Sequence, residues 1–307
     1  MSVTTEARPT PPPSPPPAPI ITGTPHDDRP LERGFKVVLF ACLAVGIIFL
    51  AVLLVYVLIE GWPRLDANLF TNQMSRLRPE TAGGQAAILG TLWIAVLTTV
   101  MSVPVGVSAA VYLEEYADKT KWWNRSIEII IQNLAAVPSV VYGILGLGLI
   151  VRAPLNLGPV ILAGALVLTL LVLPVVIISS REAIRAVPPW LRDGSLALGA
   201  TRLQTVRKVV LPAAIPGIAT GSILALSRAI GEAAPIVIIG GAAFVTFNPT
   251  GLDSRFTTLP LQIYNLVSQP QEEFRTLAYA LIIVLLVILL ILNSLAIFIR
   301  NRYQHRW

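Results

Sequence analysis

Cysteine occurs once in this 307-residue chain, at Cys42, and histidine twice, at His26 and His305. One thiol inside an apolar run excludes a disulfide framework and a cysteine-held metal. Both histidines lie in polar terminal stretches, which leaves no imidazole for a buried catalytic site. Charge is scarce too: Asp, Glu, Lys and Arg make up 13% of the residues, against about 25% in soluble domains. No Gly-Lys pair occurs anywhere, so no phosphate-cradling loop of the Gly-x-x-x-x-Gly-Lys-Ser/Thr kind can hold ATP. His-Glu-x-x-His and Gly-x-Ser-x-Gly are missing as well. The expectation is a protein that is not an enzyme and holds no metal or cofactor. Any energy it uses must come from another polypeptide or an ion gradient.

What is present is hydrophobic: 54% of the residues, gathered in long runs. About 20 apolar residues cross the hydrocarbon of a bilayer. Six stretches qualify: 35–59, 86–113, 127–151, 158–180, 213 to about 243, and 277–299. The expected fold class is an all-α membrane protein with six transmembrane helices. Arg29, Arg33 and Lys36 precede the first run, and Arg300, Arg302 and Arg306 follow the last. Basic residues favour the cytoplasmic side, so both termini are expected there. The net charge of +6 reflects these loops and is no nucleic-acid footprint. Residues 60–84 and 244–275 read as polar outer segments, and 114–125 as a short inner loop of mixed charge.

Residues 1–34 begin RPTPPPSPPPAPI from Arg8 onward. Proline at this density forms solvated polyproline II and builds no core, so this stretch is expected to be a disordered cytoplasmic tail. A docking ligand for a proline-recognising partner is the alternative. No removable signal peptide is expected.

The stretch 181–212 is a polar, basic island between two apolar runs. It holds Arg181, Arg185, Arg192, Arg202, Arg207 and Lys208 against Glu182 and Asp193. Trp190, Leu191, Leu198 and Leu203 lie inside it with no local core to enter. A short amphipathic helix offering an apolar face to a protein partner is the natural reading. Gly199 lets the chain turn, and Pro212 and Pro216 suit the start of a new helix.

Inside the membrane runs, three places could touch a solute. Arg228 and Glu232 stand four apart in SRAIGEAAP, so on one helix they would share a face. Counting about 1.5 Å per residue from Ala213 puts Arg228 near mid-depth. A charge there is costly, and a guanidinium fork suits an oxyanion. The alternative is a structural ion pair tying two helices together. Arg181 and Glu182 divide between an inner gate and simple anchoring by snorkelling. Ser139, next to Pro138, could offer a hydroxyl or a freed backbone amide to an anion.

The basic island resembles the cytoplasmic signature loop of importer-type ABC permeases, whose pattern is Glu-Ala-Ala, three residues, Gly, nine residues, Ile, one residue, Leu-Pro. Asp193-Gly194-Ser195 stands at the first triplet, followed by Gly199, Val209, Leu211 and Pro212 at the family's spacing. The triplet departs from the pattern at Gly194 and Ser195. Three further stretches, 137–149, 227–235 and 258–302, resemble the PstA-type permeases specific for phosphate; Ala233 stands where relatives often carry Thr. The resemblance covers roughly 35–305 and implies one type I ABC importer transmembrane domain in the bacterial plasma (inner) membrane. It implies a heterodimer with a PstC-like subunit, two PstB-like ATPases and an extracytoplasmic phosphate-binding protein. It assigns Arg228 and Glu232 to phosphate passage. It assigns Trp190, Leu191, Asp193, Gly194, Ser195, Leu198 and Gly199 to coupling with the ATPase. A permease for sulfate or molybdate remains the alternative within the class. A proton-coupled secondary transporter with Glu232 as carrier would usually show an internal repeat, and none is evident.

Overall fold

The structure, a computed structural model, describes residues 29–242 and 245–303. Residues 1–28, both histidines and Arg306 lie outside the described residues. Everything described is helix, turn or irregular chain; the one isolated β-bridge joins Val160 to Arg255. The first compact unit, up to Leu53, carries most of α1 (Arg29–Gly61). The helix starts six residues before the expected Phe35, taking Arg29 to Gly34 from the expected tail. Its apolar residues surround the axis on every side, as in a lipid-facing span.

The second unit, Leu54 onward, holds everything else. Its elements are α2 (Ala67–Thr71), α3 (Gln85–Val111) with a π-helical extension Tyr112–Tyr116, and α4 (Trp122–Ala135). Next come α5 (Ser139–Gly146), extended by Leu147–Arg152, then α6 (Ile161–Arg185) and α7 (Pro189–Ala197). A continuous rod follows: α8 (Arg202–Thr205), a π-helical stretch Val206–Val210 and α9 (Leu211–Ile230). The chain ends with α10 (Ala234–Ile238), α11 (Leu259–Val267) and α12 (Glu272–Tyr303). Among the described residues, five helices are long and apolar enough to cross a membrane, and six if α4 and α5 count as one bent span.

Two expected spans differ from the observed helices. The stretch 127–151 is not straight: α4 and α5 meet at 102° across Ala136–Pro138. Proline has no N–H and pushes Val137 out of the α region, so the helix stops there. The Tyr142 hydroxyl bridges the break by donating to the Leu134 carbonyl at 2.8 Å. The fifth run does not reach residue 243 as a helix. It begins upstream at Arg202, passes Pro212 without interruption, and stops at Ile230. Proline at the second position of α9 is tolerated because π-helical geometry precedes it.

α6 is the centre of the body. Val167, Val176 and Ile184 on it are fully covered, with α3 on one flank and α9 on the other. Small residues set the approach. A Cβ on Gly217 of α9 would lie 2.7 Å from the Ala183 Cβ, and one on Gly106 of α3 would lie 2.7 Å from Val176. In lipid this close approach supplies the dispersion contacts that hold helices together.

The segment expected as a polar outer loop, 244–275, contains α11 and a core of its own. Leu259, Leu266, Phe274, Leu277 and Leu281 pack with Leu69, Met74 and Ala82 from the first outer segment. The same segment completes two helices. Ser254 and Leu252 carbonyls accept from the first amides of α6, Ile161 and Leu162, both at 3.0 Å. The Thr91 hydroxyl of α3 accepts from the Leu259 amide at 2.8 Å.

Gly217→Val should lower the thermal stability of the purified protein by about 1–3 kcal/mol, because α9 and α6 cannot separate without losing their packing. Thermal unfolding in detergent checks this; an unchanged midpoint would contradict the close approach.

Candidate functional site

A cavity of about 160 Å³ lies in the crook of the broken helix. Its walls come from the α4–α5 junction, residues 134–139, with Tyr142; from Leu171, Val172 and Val175 of α6; and from Ala225, Arg228 and Ala229 of α9. Most of the lining is apolar. The polar exceptions are Ser139, the Tyr142 hydroxyl already committed to Leu134, and Arg228. Pro138 caps α5, so the Ser139 and Val140 amides open the helix and have no intrahelical acceptor. The positive end of a helix and a guanidinium therefore border one small space.

Arg228 sits in the last turn of α9, where a cation suits the helix end. Its side chain is 77% exposed. Glu232 is not on the same helix, as i,i+4 spacing had suggested. α9 ends at Ile230, and Glu232 lies in the turn before α10, its amide bonded to the Ala229 carbonyl at 3.1 Å. The two charges still meet, with Arg228 Nε 4.0 Å from Glu232 Oε1. That is a loose pair, which leaves most of the guanidinium's donors open. Beside Arg228, the Ser227 hydroxyl approaches Asn293 Oδ1 of α12 at 3.1 Å.

Arg181 lies elsewhere. It is buried at the end of α6 near α7 and bound on two sides. Its Nε donates to Glu114 Oε1 at 2.9 Å and its Nη2 to Glu128 Oε1 at 2.7 Å. Glu114 is at the end of α3 and Glu128 is on α4, so one guanidinium joins three helices. Arg185 adds a 2.6 Å contact to the same Glu114 oxygen. Glu182, by contrast, points outward and pairs with Arg185 at 3.3 Å. The reading of residues 114–125 as a short inner loop of mixed charge missed Glu114, Glu115 and, on the neighbouring helix, Glu128. The available signal was charge balance: the basic island exceeds its own acids by four, and the missing carboxylates lie one loop earlier. Between α3 and α4, the Thr120 hydroxyl and amide hold the Asp118 carboxyl below its usual range.

At this end of the bundle, α7 stands out from the body with none of its residues fully buried. Trp190 is 61% exposed and Leu198 91%, with Leu196 and Leu203 nearby and also exposed. Leu191 turns the other way and packs beside Val187 and Val210. The helix ends in two bonds, Gly199 N–H to the Leu196 carbonyl at 2.9 Å and Ala200 N–H to the Ser195 carbonyl at 3.2 Å. That closure needs a left-handed residue, and Gly199 supplies it at φ +83°. Thr201 and Gln204 then form a reciprocal cap that starts the next helix. The Ser195 hydroxyl lies 2.9 Å from that of Thr205, pinning α7 to the rod that carries Arg228. Asp193 and Gly194 make no such tie.

The model of the binding-protein-dependent transport system inner membrane component family matches residues 102–305. The chain belongs to that family. As a member it is a multi-pass inner membrane protein and a permease subunit of the ABC importer class. The probable ABC transporter permease protein YqgI of Bacillus subtilis is 36% identical over 225 residues, covering 73% of this chain and 75% of that one. The phosphate transport system permease protein PstA 1 of Mycobacterium tuberculosis is 33% identical over 264 residues, covering 85% and 86%. Among solved structures, a chain of the bacterial alginate ABC transporter, crystallised with its pentasaccharide-bound periplasmic protein, superposes with a TM-score of 0.64. The two are 18% identical and the match covers 90% of this permease and 97% of that chain. The fold is thus that of ABC importer membrane subunits.

Replacing Arg181 by Ala should destabilise the permease by about 3–5 kcal/mol, since it leaves buried Glu114 short of a partner. Arg181→Met combined with Glu114→Gln should cost clearly less. Thermal unfolding of the two variants side by side decides it, and equal losses would argue against the charge network.

Proposed function

We propose that this chain forms half of the translocation pore of an ATP-driven phosphate importer and takes its driving force from a separate ATPase through α7. One observation carries the reading: a largely exposed guanidinium borders an apolar cavity at the end of a spanning helix. A charge left facing lipid would be costly, so Arg228 must face either a second subunit or an aqueous path. Both conditions hold in a two-subunit pore. The relatives named phosphate transport permeases support the choice of solute.

In this reading phosphate passes the cavity mouth held by the Arg228 fork, with the Ser139 hydroxyl and the first amides of α5 as further donors. A single loosely paired cation gives a site that captures without trapping. Glu232, 25% exposed and 4.0 Å away, holds the guanidinium between passages and repels the anion as it leaves. Arg181 acts as the joint of three helices at the inner end.

The partners follow from the same reading: a PstC-like permease subunit, two PstB-like ATPases on the α7 side, and a phosphate-binding protein on the opposite side. Trp190, Leu196 and Leu198 enter a cleft of the ATPase. ATP-driven closure of the ATPase pair carries α7 inward and opens the pore outward; hydrolysis resets it.

Arg228→Gln should abolish phosphate uptake, while the complex still assembles and the binding protein's affinity is unchanged. Radiolabelled uptake into proteoliposomes measures the first and co-purification the second; normal uptake would refute the pathway role. Gly199→Pro cannot adopt φ +83°, so it should lower the phosphate moved per ATP at least tenfold. An unchanged ratio would remove α7 from the coupling path.

A further inference from the structure

We propose that Arg192, together with Glu115, is the strut that makes α7 move with the helix body; the inference rests on the reading that α7 docks an ATPase. α7 has little apolar grip of its own, since none of its residues is fully buried. Arg192 is one of three half-buried residues of α7, with Leu191 and Ser195, and its side chain is 22% accessible. Three guanidinium donors are used. Nη1 reaches the Val187 carbonyl at 2.6 Å, Nη2 the Ile184 carbonyl at 2.7 Å, and Nε the Glu115 carboxylate at 3.1 Å.

Those acceptors belong to two different helices. Ile184 and Val187 lie at the C-terminal end of α6, where carbonyls outrun the helix pattern and a cation suits the dipole. Glu115 lies in the last turn beyond α3, with its side chain 11% accessible. A planar fork with several fixed donors meets three acceptors at once; a Lys ammonium on a flexible stem cannot copy that geometry.

The strut matters because Pro188 caps α7 and Pro189 is its first residue, so two prolines stand at the joint with α6. Proline supplies no amide, so helical hydrogen bonding does not run through the joint. Without Arg192 the joint could swing, and a push on α7 would be absorbed there. With it, α7, α6 and α3 shift as one piece. α6 also supplies Leu171, Val172 and Val175 to the cavity, so the displacement reaches the site that Arg228 borders. A second route exists through Ser195 and Thr205 into the rod 202–230, and it competes with the strut as the path of the push.

The test uses the full importer reconstituted with its ATPase and binding protein. The variants are Arg192→Ala, Arg192→Lys, Glu115→Gln and Ser195→Ala, with Leu198→Cys as a cross-linking probe in each. The expected result is an unchanged Leu198→Cys cross-link to the ATPase throughout. Phosphate moved per ATP should fall at least tenfold in Arg192→Ala, three- to tenfold in Glu115→Gln, only partly recover in Arg192→Lys, and fall less in Ser195→Ala than in Arg192→Ala. A merely structural Arg192 would lower the amount of complex without changing transport per ATP, and that outcome overturns the strut. Coupling lost in Ser195→Ala but kept in Arg192→Ala assigns the push to the rod and also overturns it. If Leu198→Cys fails to cross-link in the otherwise unaltered protein, the docking reading itself falls and takes the strut with it.

Discussion

Backbone polar groups left open where a buried helix stops are the constraint on which this structure depends. In hydrocarbon such groups have no water to bond, so each interruption must come with a substitute partner. The chain supplies one at several of the breaks. The Tyr142 hydroxyl reaches across the Pro138 break to the Leu134 carbonyl. Carbonyls of Leu252 and Ser254 cover the first amides of α6, and the Thr91 hydroxyl accepts from the Leu259 amide. Arg192 caps the far end of α6. The Pro138 break in turn creates the crook that becomes a cavity.

The body then separates into two ends with different physics. At one end, apolar walls surround a single loosely held guanidinium, and the first amides of α5 open beside it. Little there is saturated, which suits a solute that must enter and leave. At the other end, Arg181, Arg185 and Arg192 meet Glu114, Glu115 and Glu128 at hydrogen-bonding distances. There the charged groups are tightly paired, which suits transmission of force. The same residue type, arginine, gives both settings because the number of its occupied donors differs.

Part of the shape of α7 was readable from its residues. Gly199 was singled out as a turn, and its left-handed φ and the two bonds that close α7 show why an L side chain would be strained there. Trp190 and Leu198 were expected on an apolar face, and both are exposed. Leu191 shared that expectation but packs inward, because neighbouring residues on a helix point about 100° apart. Arg192 was read only as one of several basic residues, because nothing local marks which cation in a basic stretch will find a buried acid 77 residues away. The spacing of Arg228 and Glu232 was read as one helix face. Here Gly231 ends α9 between them, and the pair survives only as a loose contact across the turn.

By itself, the sequence determined that the chain lies in a membrane, where most of its long helices fall, and that a basic stretch with a short amphipathic helix separates two of them. These follow from local quantities: apolar run length, the sign of flanking charge, and the turn chemistry of glycine and proline. Tertiary structure decided the rest. It bent the third span, ended the fifth at Ile230, folded an outer loop into the helix α11 with a core of its own, and chose partners for Arg181 and Arg192. Those outcomes depend on which distant group can satisfy an amide, a carbonyl or a buried charge, and such partners lie far apart along the chain until it has folded.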